Sequence, residues 1–201
     1  MLNSLQLAQR LGYTTHQNDD ESLYQLRQHI YQPDYNFSIQ SERLGLAFWN
    51  NLPFSEQRNY MFVYQCRLVN KDGKPILYTH KSTVLCNNSQ GIVCCVMIES
   101  SPLIHYNDDE GTLLRFMLHI GTKKCYSIEA NNSKKAFNLL SPNMIKVLAL
   151  VAQGYNTQQI ADKLYLSINT IKTHKRNILR STNSNNMTQA LLFAQLLNLL
   201  P

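Results

Sequence analysis

The 201-residue sequence predicts two domains of different class: an α+β unit, with short helices ahead of an antiparallel meander, and then an all-α unit of four helices. Three observations predict it. The hydrophobic period changes from helical to strand-like near residue 60 and returns to helical near residue 140. Gly-bearing turns cut the middle of the chain into strand-length pieces. The charge is unevenly spread: from Leu140 to Pro201 six lysines and arginines face one acid, Asp162, so five of the six net positive charges lie there. Hydrophobic residues make up 44% of the chain, enough for real cores in both units. The expected boundaries are 1–19 for an N-terminal segment, 20–129 for the α+β unit, 130–139 for a polar linker and 140–201 for the all-α unit.

In the first unit, Leu23, Leu26, Ile30 and Tyr31 share helical spacing until Pro33 interrupts. Leu44, Leu46, Ala47 and Phe48 form a second apolar patch, which Pro53 ends. Residues 60–69 are rich in aromatic and β-branched types and read as a strand. Lys71-Asp72-Gly73-Lys74 is a turn signal, since Asp-Gly suits the mirror-image hairpin turns. Residues 75–86 form a second strand, 87–91 a second turn and 92–99 a third strand, which together make a meander. Residues 107–111 read as a loop. Residues 113–120 and 125–128 form a further hairpin across Gly121.

In the second unit, Ser141-Pro142 opens a helix with an N-cap and a first-position proline. Met144, Val147, Leu148 and Val151 give its stripe, and Gly154 closes it in the left-handed conformation. Asn156 with Gln159 is a capping-box pattern. Ile160, Ala161 and Leu164 follow, and Tyr165-Leu166 makes a turn so tight that the next helix must cross steeply, as in a helix-turn-helix. Ser167 caps that next helix. Wound at about 100° per residue, it puts Ile168, Ile171 and Ile178 on one side, with Leu179 at the margin. Asn169, Lys172, Thr173, Arg176 and Arg180 fall on the other. That outer side offers long donors and almost no acceptors, which suits base edges and phosphates. The plain alternative is a solvated basic face. Asn183 can close this helix, and Asn186 with Gln189 opens a last one, to about Asn198. The last helix is apolar nearly all round. Either it is buried on two sides within the monomer, or its outer side meets a second copy.

Leu140-Ser141-Pro142, Val147-Leu148, Gly154, Gln159-Ile160-Ala161, Leu164, Ser167, Thr170-Ile171-Lys172-Thr173-His174, Asn177-Ile178-Leu179 and Thr188-Gln189-Ala190 resemble the C-terminal domain of LuxR/FixJ-type transcription regulators. The resemblance implies a third helix in the DNA major groove. Lys172, Thr173 and Arg176 would then face bases. Asn156, Thr157, Ser167, Asn169, Thr170, His174, Asn177 and Arg180 would hold phosphates. It also implies a homodimer through the last helix, with Leu192, Leu196 and Leu199 at the contact, and double-stranded DNA and RNA polymerase as partners. The chain departs from the pattern at Met144 and Lys146, where acidic residues are usual, and at Asn183, where glycine is usual.

Leu11-Gly12-Tyr13, Pro33-Asp34 and Arg67-Leu68-Val69-Asn70-Lys71-Asp72-Gly73, with helices before a meander, resemble a PAS domain. The order of the two units is similar to PAS–LuxR regulators of the Bacteroidetes type. This implies a sensory or interaction domain for a small-molecule or protein signal. The usual fold has two strands ahead of Leu11-Gly12-Tyr13, and only ten residues precede it here. The sheet is therefore incomplete, or completed by the 113–128 hairpin or by a partner chain.

Residues 1–10 lack a basic start followed by an apolar run, so no signal peptide is expected. No run of 18 apolar residues occurs, so no membrane span is expected. Cys66, Cys86, Cys94, Cys95 and Cys125 make no Cys-x-x-Cys. They are expected as buried reduced thiols in a cytoplasmic protein, with the adjacent Cys94-Cys95 structural rather than redox-active. His29, His80, His105 and His119 are scattered and read as structural or surface histidines, and Trp49 as core. Asp19-Asp20-Glu21 follows no buried strand, so it reads as a solvated or capping cluster rather than a phosphoacceptor site. No Ser/His/Asp, metal-spaced or phosphate-loop pattern is present, so no enzyme, metal or cofactor is expected. The expectation is a sequence-specific DNA-binding regulator. The alternative is a protein-interaction module whose helix-turn-helix no longer meets DNA.

Overall fold

The computed structural model describes Leu11 and residues 27–102, 113–128 and 135–200. The expectations for residues 1–10, Gly12-Tyr13, Asp19-Asp20-Glu21, Leu23, Leu26, His105, the 107–111 loop and residues 130–134 lie outside the described residues. Two compact units are present, the first ending at Phe137 and the second beginning at Asn138.

In the first unit a single 3-10 turn at Gln32–Asp34 carries Pro33 and leads into α1, Tyr35–Asn50. A short α2, Phe54–Gln57, starts after Pro53. The strands are β1 (Tyr60–Val69), β2 (Pro75–Asn87), β3 (Val93–Pro102), β4 (Arg115–His119), β5 (Cys125–Ser127) and β6 (Ala136–Phe137). They form one antiparallel sheet in the order β3-β2-β1-β4-β5-β6. The meander is as expected, and the 113–128 hairpin does extend the sheet. It does so beside β1, which leaves β3 as an edge strand among the described residues. Residues 136 and 137, expected in a linker, instead pair with β5.

Both meander turns share one construction, which differs from the mirror-image turn expected at Asp72-Gly73. Only Gly73 has positive φ, at 77°, and Gly73 N donates to Asn70 O at 2.9 Å. The Asn70 side chain accepts from Asp72 N and Lys74 N at 3.1 and 2.8 Å. Gly91, φ 77°, and Asn88 repeat the scheme, with Asn88 Oδ1 accepting from Gln90 N and Ile92 N. An asparagine that folds back on its own turn selects an ordinary turn closed by a left-handed glycine.

Alternation along the strands puts Phe62, Tyr64, Cys66, Leu68, Tyr78, Val84 and Met117 in one core with Phe48 and Trp49 of α1. Trp49 is 1% exposed, a core residue as expected. Gly45 sets how closely α1 lies on β1. A Cβ there would stand 2.8 Å from the Phe62 ring, so no other residue fits without movement. Asp34, 2% exposed, ties the 3-10 turn to β1. It accepts from Arg67 Nε at 2.9 Å, from Arg67 Nη2 at 2.5 Å and from Arg67 N at 2.8 Å, while the Tyr31 ring covers the guanidinium at 4.6 Å. Burial of such a pair is tolerated only because the carboxylate's acceptors are filled.

The cysteine expectation needs correction. Cys66 and Cys125 are buried, but Cys86, Cys94 and Cys95 are exposed. They lie at the end of β2 and the start of β3, where the edge of the sheet leaves strand residues open.

The second unit has four helices: α3 (Pro142–Ala152), α4 (Thr157–Leu164), α5 (Ile168–Ser181) and α6 (Met187–Leu196). Met144, Val147, Leu148, Ile160, Ala161, Ile171, Ile178, Ala190, Phe193, Ala194 and Leu197 are its buried apolar residues. Every helix ends on a left-handed residue: Gly154, Tyr165, Asn183 and Asn198. In each case the next amide donates five residues back, at 2.9 to 3.1 Å, for example Ser184 N to Leu179 O. This closing motif satisfies carbonyls that the helix leaves open. Asn183 performs it without glycine, as asparagine can.

Among the described residues no helix is long and apolar enough to cross a membrane, and no His/Cys/Asp/Glu group could hold a metal ion.

Candidate nucleic-acid interface

The site begins with three caps. Ser141 accepts from Met144 N at 3.3 Å and starts α3. Asn156 and Gln159 form the full reciprocal box, Gln159 N to Asn156 Oδ1 at 3.0 Å and Asn156 N to Gln159 Oε1 at 2.9 Å. Ser167 accepts from Thr170 N at 3.0 Å and starts α5. Only Tyr165, Leu166 and Ser167 separate α4 from α5. The turn is that short because Tyr165 takes the left-handed conformation, φ 54°, while its side chain stays 95% exposed. A bulky residue held so, with no packing to reward it, carries strain of about 1–2 kcal/mol.

Ile171 and Ile178 are fully buried and fix the rotation of α5. Ile168, expected beside them, is 40% exposed: it sits in the first turn, beyond the reach of the core. With the helix locked this way, Asn169, Lys172, Thr173, Arg176 and Arg180 are exposed. Thr170, His174 and Asn177 are half-buried along its flank. Asn156 is exposed and Thr157 half-buried at the start of α4. The two helix starts also point free amides outward, and the partial positive charge there favours anions.

The expected contacts already carry some intramolecular bonds. Thr170 Oγ1 lies 2.9 Å from Ser167 Oγ. Asn177 Oδ1 accepts from Arg180 Nη2 at 3.5 Å. Thr157 Oγ1 accepts from Lys175 Nζ at 2.8 Å. Sequence reasoning counted Lys175 only as charge, and its bridge between α4 and α5 was missed. The signal was its position on the border between the inward and outward sides, from which a long side chain reaches the neighbouring helix. Lys163 similarly lies over the Tyr155 ring, 4.4 Å from its centroid.

The last helix is less open than its sequence suggests. Gln189, Ala190, Phe193 and Ala194 are buried, and Leu192 is 59% exposed with Leu196 half-buried. Leu199, named for the dimer contact, is 8% exposed and belongs to the unit's own core. The physical reason is that α6 stops at Leu196 and the left-handed Asn198 turns the chain back, with Leu199 N donating to Ala194 O at 2.9 Å. Gln189 also departs from its expected box. Its Oε1 accepts from Asn185 N rather than Asn186 N.

The first unit has two features that chemistry could use. A cleft of about 300 Å³ between α1 and the sheet is lined by Glu42, Leu46, Trp49, Phe62, Tyr64 and Ser82, among others. Arg27 and Glu42 pair at 2.6 Å beside it, and the indole N–H of Trp49 has no hydrogen-bond partner. Polar groups bond in and beside its wall. Tyr64 OH donates to Glu42 at 3.2 Å, Cys66 Sγ lies 3.2 Å from His80 Nε2, and His80 Nδ1 lies 2.8 Å from Ser100 Oγ. A thiol beside an imidazole suggests a nucleophile with its base. Here burial pushes the thiol up to about 12 and the imidazole down to about 4, so both are uncharged at neutral pH. The pair is an internal hydrogen-bonded brace. His80 is thus the structural histidine expected.

Residues 138–194 match the family model "Bacterial regulatory proteins, luxR family". They are a luxR-family domain. The chain is 36% identical over 55 residues to the oxygen regulatory protein NreC of Staphylococcus carnosus, covering 27% of this chain and 25% of that protein. It is 36% identical over 58 residues to the response regulator protein VraR of Staphylococcus aureus, covering 29% and 28%. The chain thus spans about a quarter of the length of these curated relatives. Among solved structures, the VqmA dimer of Vibrio cholerae aligns over 81% of this chain and 63% of its own at 15% identity, with a TM-score of 0.27. That superposition is too loose to bear on either unit. The luxR-family domain is the α3–α6 unit, and α4 and α5 are its helix-turn-helix.

Proposed function

We propose that this protein is a sequence-specific DNA-binding transcription regulator. The observation that carries the reading is the rotation of α5: Ile171 and Ile178 are buried, while Lys172, Thr173 and Arg176 are exposed on its opposite side. α5 enters the major groove. Those three residues read base edges, for which arginine and lysine are the usual partners of guanine. Asn156, Thr157, Ser167, Asn169, Thr170, His174, Asn177 and Arg180 flank them and hold the phosphate rows. The concentration of positive charge in this unit supplies most of the affinity. A homodimer through Leu192 and Leu196 doubles the site into two half-sites related by dyad symmetry. The working setting is the cytoplasm, with RNA polymerase as a downstream partner.

The first unit, which ends at Phe137, is the PAS-like sensory part. Helices ahead of an antiparallel meander, and a largely apolar cleft lined in part by Trp49, support that reading. A protein whose helix-turn-helix serves only other proteins has no need to gather its charge on one exposed helix side.

Selection of bound sequences from random duplex DNA by the full chain tests the proposal. Enrichment of a two-fold-related motif is the expected result. Recovery of unenriched DNA at every salt concentration contradicts it.

A further inference from the structure

We propose that Cys86 and Cys95 form an oxidation site, at which a hydroperoxide joins β2 to β3 by a disulfide. The two residues oppose one another directly across the antiparallel pair. Directly opposed residues in such a pair stand about 4.5–5.5 Å apart at Cα. A disulfide spans about 4.4–6.8 Å. Both are exposed, so a small oxidant can reach them.

The side chains also share a face. Val96 opposes Val84, a member of the core beneath α1, so both point to the helix-bearing face. Cys95, one residue before Val96, points to the opposite face. The ladder slips between Val84 and Cys86, where Leu85 is the additional residue. At such a bulge two residues stand against one on the partner. Cys86 therefore meets Cys95 instead of falling out of step with it. Cys94 is exposed too, but the ladder slips a second time between Cys86 and Asn87, which opposes Val93, so Cys94 is an additional residue with no partner directly across from it. The bulge is also anchored: Arg58 Nη2 donates to Leu85 O at 2.9 Å, and Asn87 donates to the side chain of Gln57. Gln57 Nε2 also donates to Gly91 O at 3.0 Å, so β2 and the turn into β3 are both tied to the end of α2 beside the place where the bond would form.

The reaction balances with a hydroperoxide as oxidant. One thiolate attacks the peroxide oxygen, the O–O bond breaks, and a sulfenic acid forms with release of water, or of the alcohol from an organic hydroperoxide. The second thiolate attacks that sulfur, the S–O bond breaks, and the hydroxyl leaves as water with the remaining proton. Two thiols are oxidised and one peroxide is reduced.

The test uses the full folded chain, fully reduced and then freed of reductant, with hydrogen peroxide as the probe. Exposed thiols are counted with an aromatic disulfide reagent and located by differential alkylation and mass spectrometry. Three thiols react before oxidation. After it one reacts, Cys94, and the chain remains monomeric in mass with a Cys86–Cys95 link. Cys94→Ser still loses two thiols, whereas Cys86→Ser and Cys95→Ser form no intramolecular link. A link through Cys94, a chain-to-chain disulfide as the main product, or oxyacids in place of a link would each overturn the assignment.

Discussion

Polar side chains are placed differently in the core of the first unit and on α5 of the second. In the first, Asp34, Tyr64, Gln65, His80 and Ser100 are buried, and each has a hydrogen-bond partner inside the protein. In the second, the buried residues of α5 are Ile171 and Ile178, and Asn169, Lys172, Arg176 and Arg180 are exposed. Buried polar groups that find partners fix a structure. Exposed donors on a rigid helix leave their bonding capacity for something else. Polar side chains therefore serve stability in the first unit and, on the proposed reading, recognition on α5.

The strongest way to break this contrast is to remove one polar group from each unit. Asp34→Ala strips Arg67 of its carboxylate in a buried setting and should cost about 3–5 kcal/mol in chemical denaturation of the first unit. Lys172→Ala in the second should change unfolding by no more than about 0.5 kcal/mol. Equal effects would erase the distinction.

Acid sharpens it next. His80 is neutral in the folded protein, its pKa lowered from 6.5 to about 4 by burial. Its unfolded form takes up a proton first as pH falls. The stability it contributes is complete above about pH 6.5 and is lost as pH drops toward 4, by about 3 kcal/mol in total. Urea midpoints of the wild type across this window should fall with pH, and His80→Gln should flatten the slope. A slope unchanged by the substitution would contradict the brace.

Smaller effects belong to the second unit. Arg176→Ala should reduce discrimination between selected and random duplex by about 1–3 kcal/mol while leaving the thermal midpoint in place. Binding titrations against both duplexes measure it. Smallest of all, Tyr165→Gly should raise the stability of the second unit by about 1 kcal/mol, because it relieves the left-handed strain and removes no packing. Thermal unfolding reads this directly, and a loss of stability would show that the exposed ring has a partner after all.

What the sequence disclosed was mostly local. Ser141, Asn156 and Ser167 cap helices because an N-cap and its amide lie three residues apart. The bounds of β1 were legible because aromatic and β-branched residues start and stop with it. The open side of α5 was legible because helical periodicity alone separates Ile171 and Ile178 from Lys172 and Arg176. What escaped depended on distant partners. Cys86, Cys94 and Cys95 look like core strand residues until β3 is known to be an edge. Leu199 looked available until Asn198 reversed the chain. The bond from Lys175 to Thr157 needs the crossing of two helices, which neither helix specifies by itself.

The central claim, that the cationic outer side of α5 receives a duplex, is tested most directly by a salt titration. Binding of the full chain to a selected duplex and to a random one is followed from low to high salt, for the wild type and for the Lys172→Ala/Arg176→Ala double variant. The account predicts that affinity falls steeply with salt for both duplexes in the wild type. It predicts that the double variant keeps its fold, binds both duplexes almost equally and shows a shallower slope. A double variant that is folded and still prefers the selected duplex as strongly as the wild type would contradict it.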